Sequence, residues 1–262
     1  MKNISEYIDI LNRQNKKALS IFLTAGFPNK KDFTEIAKRI LDNGADILEI
    51  GIPFSDPLAD GQVIQTSSQI AIENQTSLED VFEFCDEIKN YSDKPLILMG
   101  YSNPILKYGK ERFCNAAIDA GVSGLIVPDI PLEEYDSFYS DEFGGLQKIL
   151  LTTPTSTNKR IKLIDEKSEG FVYCVSVTGT TGARYLFDDK TYKNLERTYS
   201  LINKNKMMIG FGISNAENIK SFIPFCDGVI VGSAVIKTIM NTNGYEEIVN
   251  LVRTLNSATF NT

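Results

Sequence analysis

The chain has no histidine and no tryptophan, and only four of its 262 residues are cysteines. Without histidine, proton transfer near neutral pH must use carboxylates, tyrosine, lysine, cysteine or water in place of the usual imidazole. The cysteines (Cys85, Cys114, Cys174 and Cys226) are widely scattered and include no Cys-x-x-Cys pair. This spacing predicts buried free thiols, and we expect no bound metal.

Long apolar runs and basic clusters are missing too. No apolar run approaches the roughly 20 residues of a membrane-spanning helix, so we expect no membrane contact. With 27 Lys and Arg against 34 Asp and Glu, the formal net charge is −7, which argues against a nucleic-acid groove. The first ten residues carry acids where a signal peptide needs an unbroken apolar stretch. We expect a cytoplasmic protein, or a protein of the plastid stroma if it is organellar.

The chain does contain a regular alternation of short apolar strands and amphipathic helices. Strands are predicted at residues 19–24, 46–50, 95–100, 124–127, 148–151, 171–175, 207–210 and 228–231. Helical patterns lie between them, for example at residues 32–43, 77–89, 111–120 and 215–221. Eight strands in a chain of this length fit a (β/α)8 TIM barrel. Several strands are continuous apolar runs, which is typical of a parallel sheet covered by helices.

A weak internal repeat supports a single domain over residues 1–262. Asn43-Gly-Ala-Asp-Ile-Leu-Glu-Ile-Gly-Ile-Pro resembles Ala120-Gly-Val-Ser-Gly-Leu-Ile-Val-Pro-Asp-Ile-Pro, and both indicate a helix end, a glycine cap and a strand. We expect an extra helix before the first strand and long loops after strands 2 and 6. The alternative fold is an open, doubly wound sheet. That fold more readily shows a glycine-rich fingerprint in its first βα turn, which Thr24-Ala-Gly-Phe-Pro does not provide.

The most informative segment joins a strand to a proline-rich loop. Glu49 is the single charged residue of an apolar, strand-like run, and Asp60 closes the loop that follows. Burying a carboxylate is costly unless it is paired or functional, so Glu49 predicts acid–base chemistry. A structural ion pair is the competing interpretation of Glu49. For Asp60, which precedes Gly61 and a helical pattern, a helix cap or turn is an equal alternative.

Glycines after three late strands predict an anion site. Gly182, Gly212 and Gly232 each follow a strand, and Ser214 and Ser233 are placed to cap the next helices. Backbone N–H groups and helix N-termini converge on a phosphate at this position in many barrels. Ordinary βα turn chemistry is the alternative explanation.

Several segments together resemble the tryptophan synthase alpha chain family. They are Leu48-Glu-Ile-Gly-Ile-Pro-Phe-Ser-Asp-Pro-Leu-Ala-Asp-Gly-Gln-Val-Ile-Gln65, Gly100-Tyr-Ser-Asn-Pro, Val127-Pro-Asp-Ile-Pro-Leu-Glu-Glu134, Val175-Ser-Val-Thr-Gly-Thr-Thr-Gly-Ala-Arg184 and Gly210-Phe-Gly-Ile-Ser214. The resemblance implies a TIM-barrel lyase that cleaves indole-3-glycerol phosphate to indole and D-glyceraldehyde 3-phosphate. It further implies an alpha2beta2 tetramer with a beta chain, which alone carries the cofactor pyridoxal phosphate.

The resemblance also assigns roles to individual residues. It makes Glu49 the proton donor and base, Asp60 the partner of the indole N–H, and Tyr173 a supporting catalytic residue. Phe22 and Leu125 resemble walls of the indole pocket, although barrel core is an equal interpretation of both.

Further roles fall on the loops and the phosphate site. Gly182, Gly212, Gly232 and Ser233 match the family's phosphate site. Thr181 belongs to a loop, residues 178–184, that closes over the substrate in the family. Thr180 departs from the valine usual there, which puts the kinetics of closure in doubt more than the activity.

Partner contacts follow from the same resemblance: Pro53 and Asp56 lie in the loop that faces the beta chain. Three other functions remain open. The chain could be a non-catalytic activator of a beta chain, or a stand-alone lyase that releases indole by itself. A glycoside hydrolase with two carboxylates is less favoured, because such sites usually use aromatic platforms and this chain has no tryptophan.

Overall fold

The computed structural model describes residues 3–176, 187–242 and 244–260. In this part of the chain, parallel strands form a closed barrel in sequence order, and the last strand pairs with the first. The strands are β1 (Ala18–Thr24), β2 (Ile47–Gly51), β3 (Leu96–Met99), β4 (Gly124–Ile126), β5 (Gln147–Thr152), β6 (Phe171–Val175), β7 (Lys206–Gly210) and β8 (Gly228–Val231). The predicted (β/α)8 TIM barrel is confirmed, and the open sheet is wrong.

Helices surround the barrel. In the described ranges they are α1 (Ile4–Arg13), α2 (Lys30–Asp42), α3 (Gln62–Glu73), α4 (Leu78–Tyr91), α5 (Ser102–Tyr108), α6 (Lys110–Asp119), α7 (Tyr135–Phe138), α8 (Asn158–Lys167), α9 (Asp189–Leu201), α10 (Ala216–Phe222), α11 (Ser233–Asn241) and α12 (Glu246–Ser257). None of these helices has the length and apolar character needed to cross a bilayer.

Helix α1 is the predicted extra helix before the first strand. Its buried side chains Ile4, Ile8 and Leu11 form one apolar face, which packs against β1 and β7. Asn3 caps the helix by accepting a hydrogen bond from the Glu6 N–H. The helix therefore closes the amino-terminal end of the barrel and leaves the opposite end for the site.

The repeated helix-to-strand step has the predicted glycine caps. Gly44 follows α2 with φ +120°, and Gly121 follows α6 with φ +78°. Both angles lie in the region that favours glycine, because a Cβ atom there would strain the backbone.

The four cysteines are buried free thiols, as their spacing predicts.

The carboxyl-terminal ends of the strands carry the long connections. The loop from β2 to α3 covers residues 52–61 and contains the exposed side chains of Ser55, Asp56 and Leu58. The connection from β6 to α9 is longer still, and residues 177–186 of it lie outside the described ranges. Both loops are at the end of the barrel where TIM-barrel enzymes place their sites.

Candidate active site

A largely apolar cavity opens at the carboxyl-terminal end of the barrel. It is lined by Phe22, Asp60, Val63, Ile64, Met99, Tyr173, Phe211, Gly212, Ile213, Ser214, Ile230, Gly232, Ser233, Ala234 and Lys237. The cavity therefore joins an aromatic region beside Asp60 to a glycine-rich region beside α11. Such a shape suits a ligand with an apolar ring at one end and an anion at the other.

Glu49 lies behind the lining residues, fully buried in the middle of β2. Its Oε1 accepts a hydrogen bond of 2.9 Å from Ser20 Oγ, and its Oε2 has no partner among the described residues. Burial raises the pKa of this carboxyl to about 8, although the Ser20 hydrogen bond lowers it. Glu49 forms no ion pair with any residue in the described ranges. The structure of these ranges therefore does not support the interpretation of Glu49 as a structural ion pair.

Asp60 is half-buried at the end of the β2 loop and faces the cavity. The Tyr101 hydroxyl donates a 3.0 Å hydrogen bond to Asp60 Oδ2 and accepts one of 3.0 Å from the Ala59 N–H. Burial raises the pKa of Asp60 to about 6, and the Tyr101 bond lowers it. Asp60 does not cap α3, since Gly61 occupies the N-cap position without a side-chain hydrogen bond.

Tyr173 interacts electrostatically with both Glu49 and Asp60. It is buried on β6 and lines the cavity, where its ring packs edge-on against Phe211 with centroids 5.9 Å apart. Burial raises the pKa of its phenol well above the ordinary value, and the charges of Glu49 and Asp60 raise it further. The phenol is thus a neutral hydrogen-bonding group near both acids. Gly210 makes room for it, since a Cβ atom there would lie 2.2 Å from the hydroxyl.

The two predicted indole-pocket residues have different positions. Phe22 lines the cavity, and it lies against Gly51, where an added Cβ atom would be 2.4 Å from the ring. Leu125 is fully buried on β4 and is absent from the cavity lining in the described ranges. The other apolar walls near Asp60 are Ile64 and Met99.

The opposite end of the cavity has the features of an anion site. Gly212, Gly232 and Ser233 meet there, with the exposed Lys237 one turn further along α11. Gly232 is the N-cap of α11 and forms no side-chain cap, so the first N–H groups of this helix remain available to a ligand. Phe211 and Gly212 both have positive φ, +70° and +77°, which turns the β7 loop sharply toward this point.

The predicted helix caps near this end are wrong. Asn215, rather than Ser214, is the N-cap of α10, and its side chain accepts from the Asn218 N–H. Ser233 is the first residue inside α11 rather than its cap. The N-terminus of α10 is therefore closed by its own side chains, whereas that of α11 is open.

Comparison with known proteins identifies the family. A sequence model described as "Tryptophan synthase alpha chain" matches residues 8–261. The chain belongs to the tryptophan synthase alpha chain family. The alpha chain of Flavobacterium psychrophilum is 42% identical over 242 residues, covering 92% of this chain and 95% of that relative. That of Aquifex aeolicus is 40% identical over 262 residues, covering 97% and 98%.

A solved structure agrees with the sequence relatives. A chain of tryptophan synthase from Mycobacterium tuberculosis superposes with a TM-score of 0.90 at 28% identity, covering 99% of this chain and 98% of that one. The family model, the sequence relatives and the solved structure therefore agree on one family, which belongs to tryptophan synthesis.

Some of the predicted site residues lie away from the cavity or outside the described ranges. Thr181 and Gly182 lie outside them. Pro53 is half-buried and Asp56 is exposed in the β2 loop, where Asp56 accepts a hydrogen bond from the Ser55 hydroxyl. Neither residue lines the cavity, so both remain predictions for the partner surface.

Sequence reasoning missed several residues that the structure places at the site. These are Ser20, Met99, Tyr101, Phe211 and Lys237. Ser20 had a usable signal, because a hydroxyl in the middle of the apolar run Ala18-Leu-Ser-Ile-Phe-Leu needs a buried partner. Tyr101 and Phe211 lie inside the family-like segments, but nothing in their sequence neighbourhood predicted their contacts with the site.

Proposed function

We propose that this chain cleaves indole-3-glycerol phosphate to indole and D-glyceraldehyde 3-phosphate. The main support is Glu49, a fully buried carboxyl with a pKa near 8 and one oxygen without a hydrogen-bond partner in the described ranges. Such a group is protonated at neutral pH and can give up and recover a proton, which a histidine-free chain requires.

The reaction is a retro-aldol cleavage. Glu49 protonates indole C3, and the carbon that bears the glycerol chain becomes tetrahedral. The adjacent glycerol hydroxyl then loses its proton to the Glu49 carboxylate. Its oxygen forms the aldehyde carbonyl while the C–C bond pair returns to the ring, which releases indole. Because Glu49 is fully buried, substrate contact requires a displacement of its side chain or of the covering rings.

Asp60 supports this chemistry by accepting a hydrogen bond from the indole N–H. Protonation at C3 places positive charge on the indole nitrogen, and an ionised carboxylate in a mostly apolar cavity stabilises that charge. Its pKa of about 6 keeps Asp60 ionised at neutral pH, while Glu49 is still protonated. The Tyr173 phenol lines the cavity and stays neutral, and in this proposal it supports the reaction as a hydrogen-bond donor to the substrate.

The phosphate of the substrate fits the glycine-rich end of the cavity. The open N-terminus of α11 supplies N–H groups, and the Ser233 hydroxyl and Lys237 add a donor and a positive charge. We place Gly182 in the same site and Thr181 in a closing loop by family resemblance alone. Pyridoxal phosphate belongs to the beta chain in this proposal and supplies none of these steps.

The β2 loop is the proposed contact with the beta chain in an alpha2beta2 tetramer. Leu58 is 90% exposed at its tip, close to Asp56, and it lines an apolar groove with Val127, Pro128 and Leu150. Large exposed apolar residues beside a groove are typical of interaction surfaces. Since Asp60 ends the same loop, binding there would act directly on the candidate site.

The test is indole release from indole-3-glycerol phosphate by the purified chain, alone and after addition of a beta chain. Slow release that rises strongly on addition supports the lyase and its control by the partner. Fast release by the chain alone indicates a stand-alone lyase. No release under either condition, with a correctly folded chain, contradicts the proposed reaction.

A further inference from the structure

Ser20 has no role in the reaction proposed above, yet it makes the single hydrogen bond to the Glu49 carboxyl found in the described ranges. Both residues are fully buried, on the neighbouring strands β1 and β2. Ser20 Oγ lies 2.9 Å from Glu49 Oε1. The strand register sets Ser20 opposite Ile47 and Phe22 opposite Glu49, so the Ser20 side chain approaches Glu49 diagonally.

The bond makes the two oxygens of Glu49 different. Oε1 is held by a donor, whereas Oε2 is buried without a partner among the described residues. A hydroxyl donor stabilises the oxygen that keeps its lone pairs, so a proton added to this carboxyl favours the other oxygen. We propose that Ser20 is a positioning residue that fixes Oε1 of Glu49, so that Oε2 carries the transferred proton.

The residues around Glu49 make the Ser20 hydroxyl the main polar influence on the Glu49 carboxyl. The strand neighbours of Glu49 are Phe22 on β1 and Ile97 on β3, which are both apolar. Among the described residues, the Tyr173 phenol is the titratable group that interacts with Glu49, and the charge of Asp60 acts on the same phenol. With no ion pair to Glu49 in the described part of the chain, the hydroxyl of Ser20 is the favourable polar contact that offsets burial.

The role of Ser20 rests on the proposed function, but its effect on Glu49 can be measured without activity. We would label glutamate with 13C at the side-chain carboxyl and follow the Glu49 signal against pH, with Glu49→Gln identifying that signal. Ser20→Ala removes the donor from the charged form, so the titration midpoint should rise by about one pH unit. Ser20→Thr, which keeps a hydroxyl, should restore the wild-type midpoint.

The matched control is Ser67→Ala. Ser67 is also a fully buried hydroxyl at this end of the barrel, but it contacts Thr24 Oγ1 at 2.6 Å and Ile64 O at 2.8 Å. Its removal should leave the Glu49 midpoint unchanged. Ser20→Cys, a nearly isosteric weak donor, should give a smaller upward shift than Ser20→Ala and covers the case in which the alanine variant does not fold.

Activity provides the second measurement. In the pH profile of kcat for indole release, the limb set by Glu49 should move upward in Ser20→Ala by the same amount as its midpoint. Equal midpoints in wild type, Ser20→Ala and Ser20→Cys would overturn the role of Ser20. Absence of indole release by the wild-type protein would instead contradict the proposed function, while the carboxyl titration would still decide the role of Ser20.

Discussion

Asp46 and Glu49 are buried carboxylates three residues apart, the first just before β2 and the second in its middle, and their surroundings are opposite. Asp46 lies at the amino-terminal end of the barrel, where Lys16 Nζ is 2.6 Å from Oδ1 and the Leu19 N–H is 2.9 Å from Oδ2. Glu49 lies in the middle of β2, with one hydroxyl donor and no cation in the described ranges. All three partners, Lys16, Leu19 and Ser20, lie on β1 or just before it. The same pair of strands therefore supports one acid with both carboxylate oxygens bonded and one acid with a single bonded oxygen.

The contrast separates a stabilising acid from a functional acid three residues further along the chain. A buried acid with a cation and a backbone donor holds structure together, and removing one partner is costly. A buried acid with an unpartnered oxygen destabilises its charged form and is therefore able to exchange protons near neutral pH.

The largest expected effect is on activity. Glu49→Gln removes the exchangeable proton while keeping the size and the hydrogen-bonding capacity of the side chain. Indole release should fall by about 10³-fold or more, within the range expected for loss of an acid–base group. Circular dichroism should remain that of the wild type. Near-normal turnover by a folded variant would remove Glu49 from the mechanism.

The corresponding change at the other end should affect stability. Asp46→Asn leaves the charge of Lys16 without its partner in a nearly buried position, where its side chain is 12% exposed. We expect a loss of about 4 kcal/mol in the free energy of unfolding, measured by urea denaturation. The kcat of the folded fraction should stay unchanged. A large loss of kcat with unaltered stability would contradict the division between the two acids.

The fold could be predicted because barrel strands are buried on both faces. Largely apolar stretches therefore marked the strands, with ends that differ from the structure by one residue or less. Asp46 shows why the predicted strand ends differ from the observed ones. It was predicted to begin a strand, but β2 begins at Ile47. The Asp46 carboxylate instead accepts a hydrogen bond from the Leu19 N–H on β1. Such contacts depend on a neighbouring strand that local patterns do not reveal.

The candidate site was predictable where one residue contrasts with its own neighbours in sequence. Glu49 is a charge within an apolar run, and Gly212 and Gly232 stand at strand ends. Tyr101 and Ser20 escaped prediction because their roles depend on acids from another strand or loop. The Ser214 cap was wrong because Asn215, one residue later, offers the same chemistry with better placement.

A smaller effect concerns how stability depends on pH. The pKa of Glu49 is raised in the folded state to about 8. The folded state therefore holds a proton that the unfolded state loses, and the contribution of Glu49 to stability falls as pH rises between about 4.5 and about 8. Glu49→Gln should thus be more stable than the wild type at pH 8, by about 4 kcal/mol. Thermal unfolding should show this advantage vanish near pH 4.5, and an advantage independent of pH would contradict the raised pKa.

The smallest effect is expected at Tyr101, which holds Asp60 and the loop residue Ala59 through one hydroxyl. Tyr101→Phe removes the donor that lowers the pKa of Asp60, so this pKa should rise above its value of about 6. Because ionised Asp60 stabilises the cationic indole, the acid limb of kcat should move upward, with about a tenfold loss near pH 6 and little loss at pH 8. Tyr108→Phe is the matched control, since Tyr108 packs against Phe82 away from the cavity and should leave the limb unchanged. If the acid limb of the kcat profile does not move in Tyr101→Phe, the Tyr101 hydroxyl stabilises the β2 loop and does not control the ionisation of Asp60.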